Sequence, residues 1–275
     1  MSRKTFAYQP KPFIVNVIQK ETPAAAIANI HNADLRGVTA HDLHLNTLKP
    51  EYHTREHLKR ICDSTPYPIL ALYYRWAGSP SDEERISAQL TAIEAGAAGA
   101  DIPAFVYDEN PRASLASADP EKYPFVTANP NEVAMAPETI ARQKALIGKI
   151  HGMGGEVLMS AHVGVELSRV QAVSLALELQ SRGADVVKIV TTCATEDHFA
   201  EMTGTIAELN RIMEKPFIYF ATGRTGRLTR VIGPMLGACL CFCNLEYGER
   251  STPDQPTVDM MFDLLNKYKG YWYNP

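Results

Sequence analysis

The chain lacks several things, and each lack removes a class of function. No apolar run is long enough to span a bilayer. Met1-Ser-Arg-Lys-Thr5 leads into polar residues and two prolines rather than the apolar core of a secretory leader. No membrane partner is therefore expected. Neither charge sign dominates: 27 Lys and Arg stand against 31 Asp and Glu, a net charge of −4. The basic excess of a nucleic-acid binder is missing, so no nucleic-acid partner is expected either. No glycine-rich phosphate turn follows the first apolar strand, which argues against a dinucleotide-binding open sheet. The five cysteines are odd in number, and no two are spaced as a zinc knuckle requires. Three of them alternate in Cys239-x-Cys241-x-Cys243, which places them on one strand face as small apolar fillers. Reduced thiols and a cytoplasmic address are expected. No internal repeat or second domain is evident.

What is present is an alternation. Strand-like stretches read at Phe13–Ile18, Gly37–Leu45, Ile69–Tyr74, Ala100–Phe105, Glu156–Ala161, Val186–Val190, Phe217–Ala221 and Ala238–Cys243. Helix-forming stretches separate them, including Glu132–His151, Glu166–Ser181 and Arg227–Leu236, and Thr257–Lys267 closes the series. Eight strand-helix units in 275 residues predict an α/β fold, a single-domain (β/α)8 TIM barrel over residues 1–275. A doubly wound open sheet is the alternative. One stretch breaks the rhythm: Val106–Pro130 is rich in Pro, Asn, Asp, Ser and Ala, and is long for a loop in a compact domain. It is expected to lie over the barrel mouth. The Tyr271-Trp-Tyr273 cluster reads as a packing tail or an oligomer contact.

In such a barrel the chemistry sits at the C-terminal ends of the strands. Ala184-Asp-Val-Val-Lys188-Ile-Val reads as a buried parallel strand with a lysine in its middle. A buried amine must pair, neutralise or react, and desolvation is one way to make a lysine nucleophilic toward a ketone. The plain alternative is a strand-end lysine in solvent. Strand five ends at His162, near the mouth. Gly223-Arg-Thr-Gly-Arg-Leu-Thr-Arg230 follows strand seven with glycines that admit a ligand and arginines suited to a carboxylate or phosphate. Glu249-Arg-Ser251-Thr-Pro-Asp-Gln255-Pro follows strand eight as a loop able to close over a polar ligand.

Taken together, Val157-Leu-Met-Ser-Ala-His162, Ala184-Asp-Val-Val-Lys188-Ile, Gly223–Arg230 and Ser251-Thr-Pro-Asp-Gln255 resemble the type I 3-dehydroquinate dehydratase family, in its order and at about its spacings. The resemblance implies a Schiff-base lyase without cofactor or metal that takes a hydroxy-ketone carboxylate, with 3-dehydroquinate foremost. Lys188 would form the imine and His162 would act as base and then acid. Arg230 would clamp the carboxylate, with Ser251 and Gln255 on the closing loop. A homodimer, common in the family, is expected.

The N-terminal half departs from the pattern. Where the family has Glu-x-Arg-x-Asp after strand two, this chain has Asp42-Leu-His44-Leu-Asn46. Where it has a second substrate-facing arginine after strand three, Tyr74 stands, with Arg75 on the opposite face. Where it has a strand-four glutamate that orients the histidine, Pro103 stands. Asp101, two residues earlier on the same face, is the candidate substitute, with Asp42 the other. Asp42, His44, Tyr74 and Asp101 are thus read as the altered substrate cradle. A related lyase acting on a different hydroxy-ketone, or a non-catalytic binding relative, are the alternatives. A metal enzyme is a further one: His41, Asp42 and His44 cluster, and His53 and His57 have zinc-ligand spacing, although His53-Thr-Arg-Glu-His57 lacks the metalloprotease order.

Overall fold

The structure, a computed structural model, describes the backbone of residues 5–272 and the side chains of residues 5–267. The strands are β1 Phe13–Ile18, β2 Ala40–His44, β3 Ile69–Leu72, β4 Gly99–Pro103, β5 Glu156–His162, β6 Val186–Thr192, β7 Phe217–Thr222 and β8 Leu240–Cys243. The α-helices are α1 Pro23–Leu35, α2 Arg55–Asp63, α3 Asp82–Glu94, α4 Pro111–Ala116, α5 Pro137–Gly152, α6 Arg169–Ser181, α7 Glu196–Ile212, α8 Thr229–Ile232 and α9 Val258–Trp272. The strands are mostly apolar and buried on both faces, because they are covered on both: by their neighbours' inward side chains and by the helices.

All pairings are parallel and run β7-β6-β5-β4-β3-β2-β1-β8. β8 returns to β1, with Phe13 opposite Leu240. The last gap, between β8 and β7, is crossed by the Cys239 amide donating to the Phe217 carbonyl at 2.9 Å. The result is the expected (β/α)8 barrel, nearly closed. Phe13, Val15, Leu70, Leu158, Val186 and Ile218 fill its interior. Its lower end is plugged by residues 5–7. The Glu156 carboxylate accepts from the amides of Phe6 (2.6 Å) and Ala7 (3.0 Å), and Phe6 packs edge-on against Phe13. Cys241 and Cys243 pack with Ala33, Val38 and Val258 on the helix-facing side. Burial pushes the Cys239 thiol up to about 12, so it is an unreactive filler.

Local chemistry sets the helix starts, and it shifts several expected boundaries. α6 begins at Arg169, three residues later than expected, because Ser168 and Gln171 form a reciprocal capping box there. The stretch after β7 breaks into short turns around α8, because Gly233-Pro234 cannot continue a helix. The largest change is at α5. Residues 132–136, expected to be helical, are not. Ala136 precedes Pro137 and is held extended, so the helix opens with that proline in its first turn. Glu132 instead adopts a left-handed backbone, φ 60°.

The 106–130 excursion is not a cover over the mouth. It forms α4 and a 3-10 turn at Pro124–Ala128, and buries Leu115 and Phe125 in the outer layer with α5 and α6. Arg182, at the end of α6, holds its base by donating to the carbonyls of Ala134 (2.9 Å) and Ala104 (3.4 Å). Among the described residues, no helix is long and apolar enough to cross a membrane. The side chains of the Tyr271–Tyr273 cluster lie outside the described residues.

One buried charge hub ties the loop after β3 to the excursion. The Asp82 carboxylate accepts from Arg75, from Arg85 and from the Tyr107 amide at 2.6 Å. Arg85 in turn donates to the Tyr73 carbonyl at 2.7 Å. Burial alone would raise the Asp82 carboxyl, but these donors outweigh it and hold it below the usual aspartate range. The contribution to stability is therefore present above the unfolded value, about pH 4, and is lost as pH falls through the lower folded value. Asp82→Asn is expected to lower the unfolding free energy by about 2–3 kcal/mol near neutrality, and to flatten the acid side of the stability curve, both read by urea denaturation at several pH values.

Candidate active site

Lys188 sits where the register of three strands converges. β5 pairs with β6 so that Ser160 lies beside Lys188, and both face the barrel interior. β4 contributes Asp101, fully buried. Lys188 Nζ donates to Asp101 Oδ2 at 3.0 Å, and the Ser160 hydroxyl donates to Asp101 Oδ1. The Phe242 ring of β8 lies 4.9 Å from Nζ. The amine is thus held by a carboxylate and an aromatic face, and is only 7% exposed. The solvent-pointing alternative for Lys188 is thereby excluded. Asp101, expected to touch substrate or orient His162, is instead the partner of the lysine. It lies beneath the amine: the register sets Asp101 level with Leu158 and Val186, two residues before Lys188.

His162, two residues past Ser160 on the same face, stands at the end of β5. Its Nδ1 and its backbone amide both lie 3.1 Å from Glu132 Oε2. Acceptance by a carboxylate fixes the proton on Nδ1 and leaves Nε2 free to accept a proton. Glu132 Oε1 takes the hydroxyl of Tyr74, whose ring meets the imidazole edge-on at 5.1 Å. Burial would raise the Glu132 carboxyl, but the bonds from His162 and Tyr74 and the imidazole charge prevail and hold it low, so it stays ionised. The acid that contacts His162 is therefore Glu132, and neither Asp101 nor Asp42. Sequence reasoning missed Glu132 by placing it in a helix. The available signal was its isolation: a lone carboxylate between Pro130 and Pro137, where no helix could hold it.

Lys188 and His162 face a cavity of about 390 Å³ at the C-terminal mouth. Arg230, Gln255, Asp42, His44 and Tyr74 line it too, as expected, and Asn46 and Thr252 join them. Arg230 is 6% exposed, lies 5.2 Å from the Phe220 ring, and has an Nε without a partner. Its burial pulls the guanidinium below its usual range. Asp42 Oδ1, Asn46 Oδ1 and Gln255 Oε1 are buried acceptors without donors. A buried cation beside unfilled acceptors calls for a ligand with one anion and several hydroxyls. His44 is already spoken for: Nε2 meets Asp42 Oδ2 at 3.1 Å and Nδ1 meets Gln19 at 3.3 Å. Arg75 points away, to Asp82 and the Asp108 carbonyl.

Ser251 is not in the cavity wall. Its hydroxyl accepts the Gly248 amide at 2.9 Å and caps its own loop, while the next residue, Thr252, lines the cavity. The loop turns one residue later than the expected site required. The histidines read as zinc candidates are engaged elsewhere: His53 with the carbonyls of Leu45 (2.9 Å) and Leu48 (3.0 Å), His57 with Thr54, and His41 with Asp34. Among the described residues, no three His, Cys, Asp or Glu side chains cluster to hold a metal ion.

The sequence profile of type I 3-dehydroquinase matches residues 131–271. The bifunctional chloroplastic 3-dehydroquinate dehydratase/shikimate dehydrogenase of Arabidopsis thaliana is 26% identical over 260 residues, 93% of this chain and 36% of that protein. The 3-dehydroquinate dehydratase of Clostridium kluyveri is 26% identical over 130 residues, 46% of this chain and 50% of that one. The matched regions thus span half or less of these relatives. Among solved structures, the 3-dehydroquinate dehydratase of Geobacillus kaustophilus superposes with a TM-score of 0.73 at 14% identity, covering 96% of this chain and 93% of that one. The type I enzyme of Clostridium difficile gives 0.72 at 16% identity, covering 98% and 100%. At such identities the superpositions establish the barrel.

The Arg230 environment generates an expectation independent of turnover. An unpaired buried cation destabilises the empty protein and favours an anionic ligand. Arg230→Met is expected to raise the melting temperature by a few degrees and to weaken small-carboxylate binding at least tenfold, about 1.4 kcal/mol, by calorimetry. A melting temperature that falls together with unchanged carboxylate affinity would contradict the assignment.

Proposed function

Because the chain belongs to the type I 3-dehydroquinase family, we propose that it removes water from 3-dehydroquinate through an imine on Lys188, giving 3-dehydroshikimate. The observation that carries this reading is the buried Lys188 amine at the cavity, with His162 and Arg230 in the same wall. The Lys188 amine attacks the ketone carbon. The carbinolamine hydroxyl takes up the proton that the Lys188 ammonium released by way of Asp101 and leaves as water, and the iminium that remains has Asp101 Oδ2 in place to balance its charge. The iminium draws electrons from the adjacent carbon, and His162 Nε2 takes the proton there. The enamine then expels the β-hydroxyl, which leaves as water with the proton His162 had taken. A further water hydrolyses the imine, frees the ketone product and restores the lysine. Arg230 anchors the carboxylate throughout.

The wall formed by β2 and β3 supports a second reading, a related hydroxy-ketone as substrate. That side presents the Asp42–His44 pair and a Tyr74 bound to Glu132, and no free guanidinium. We also read the protein as a cytoplasmic homodimer, a compartment that suits five free thiols. Analytical ultracentrifugation tests the assembly.

Borohydride reduction tests the chemistry. Wild-type protein incubated with 3-dehydroquinate and reduced is expected to gain the mass of the dehydrated product, and Lys188→Ala to gain nothing. An adduct at the undehydrated mass would favour the second substrate class. No adduct across a panel of hydroxy-ketone carboxylates would overturn the imine.

A further inference from the structure

Two groups beside His162 play no part in the imine or the anion anchor: the Glu132 carboxylate and the Tyr74 phenol. A carboxylate at the imidazole is what the resembled family draws from strand four; we propose that Tyr74 is a further positioning residue that makes a relay here, its phenol fixing the Glu132 carboxylate and, through it, His162 with Nε2 turned to the substrate. The inference rests on the dehydratase reading only in making His162 the base.

The division of the carboxylate is the first support. Oε2 accepts both from the His162 amide and from Nδ1, and Oε1 accepts from Tyr74. With both oxygens occupied the carboxylate cannot rotate without breaking a bond. The second support is backbone strain. Glu132 is a non-glycine residue at φ 60°, a conformation that costs about 1 kcal/mol or more. It is held there from both sides, by the Asn131 amide on the Val163 carbonyl (2.8 Å) and the Ala134 amide on the Ala104 carbonyl (3.0 Å). The chain is thus bent so that this one side chain reaches the imidazole. The third support is packing. The Tyr74 ring stands at 90° to the imidazole and is backed by Phe105, with centroids 6.4 Å apart.

Tyr74 is a donor and not a second base. Burial, then the charge and hydrogen bond of Glu132, then the Asp101 charge push its phenol far above the ordinary range, against a smaller pull from Arg75. When His162 takes the carbon-bound proton, the imidazolium is balanced by Glu132. The proton stays on the imidazole until the hydroxyl departs, and none passes to the carboxylate. The charged and titratable groups of this wall and cavity are Glu132 from the segment after β4, Tyr74 from the segment after β3, Lys188 from β6, Arg230 from α8, and Asp42 and His44 from β2, with Asp101 beneath. All but the substituted residue remain in each variant below, so a difference in pH profile reports on the relay.

Tyr74→Phe keeps the ring and removes one hydrogen bond. Glu132→Gln keeps the shape and removes the charge. For Glu132→Gln, kcat is expected to fall about 10³-fold with KM nearly unchanged, and the acid limb of the pH–rate profile to move about one unit lower, because the protonated imidazole loses its counter-charge. For Tyr74→Phe, kcat is expected to fall about tenfold and the acid limb to move higher, because a carboxylate relieved of one donor attracts the imidazolium more strongly. Opposite movements are something a merely structural role would not produce. Nitrogen-15 NMR of His162 in the resting protein gives a readout free of turnover: the proton on Nδ1 in the wild type, and a mixed tautomer in Glu132→Gln. Borohydride trapping in both variants separates the two claims, since the imine on Lys188 does not require the relay. Trapping without any change in acid limb or tautomer would overturn the relay and leave the dehydratase reading intact. A wild type that traps no imine, but shows the expected tautomers, would do the reverse.

Discussion

A lysine inside a closed barrel has to be given its counter-charge by the barrel itself, and the Lys188–Asp101 contact meets that demand here. A lone ammonium at that depth would cost several kcal/mol, more than most single interactions in the molecule supply. Asp101 reaches Nζ only because β4, β5 and β6 are in one register, with Ser160 between carboxylate and amine. Slipping β6 by a single residue would turn Lys188 into the helix layer and leave Asp101 buried without a cation. Strand register and site chemistry are thus the same constraint. The plugged lower end and the apolar interior serve it by keeping competing water out of the barrel beneath the pair.

How charge is satisfied separates framework from site. Arg85 and Arg182 are buried, and Asp82 partly so, and all three have carbonyl, amide or carboxylate partners that lock the segments around β3, β4 and α6. Arg85 Nε lacks a partner too, but its terminal nitrogens are bonded to the Tyr73 carbonyl and Asp82. Arg230 has an unpartnered Nε at the cavity wall, and Asp42 Oδ1, Asn46 Oδ1 and Gln255 Oε1 along the same wall lack donors as well. Four such groups on one surface are a stability deficit that a polyhydroxy carboxylate can offset.

The sequence carried the parts of this arrangement that depend on local pattern. Val186–Val190 could be read as a buried strand from its β-branched run, so Lys188 stood out against it, and His162 and Arg230 followed from the rule that barrel chemistry lies at strand ends. Tyr74 and Arg75 do point apart as expected, but β3 ends at Leu72, so it is their separate partners, Glu132 and Asp82, and not strand alternation that part them. The failures have a common physical origin: each turned on where a chain segment without periodicity goes. Ser251 and Thr252 exchange roles through a single residue of loop turn. Asp101 was correctly on the inner face, but its partner is chosen by the register between β4, β5 and β6, which no alternation pattern encodes. Glu132 reaches His162 only because the segment between β4 and α5 folds back on the outer wall and is pinned there by Arg182.

That last case shows what is fixed in such a site and what is free. Where the resembled pattern has a strand-four carboxylate, this chain has Pro103, yet an acid still lies 3.1 Å from His162 Nδ1. A base that must keep one tautomer and bear a transient positive charge needs an anion at that nitrogen. It does not need the anion to come from any particular strand. The barrel fixes the positions of amine, imidazole and guanidinium, because they ride on β5, β6 and the turn after β7. The orienting acid can arrive on a loop, provided the loop is held firmly enough to keep a strained residue in place. Here the excursion's apolar residues and the Arg182 bonds to its base supply that firmness. The long segment between β4 and α5 is therefore part of the site through one residue, although its 106–130 stretch lines none of the cavity.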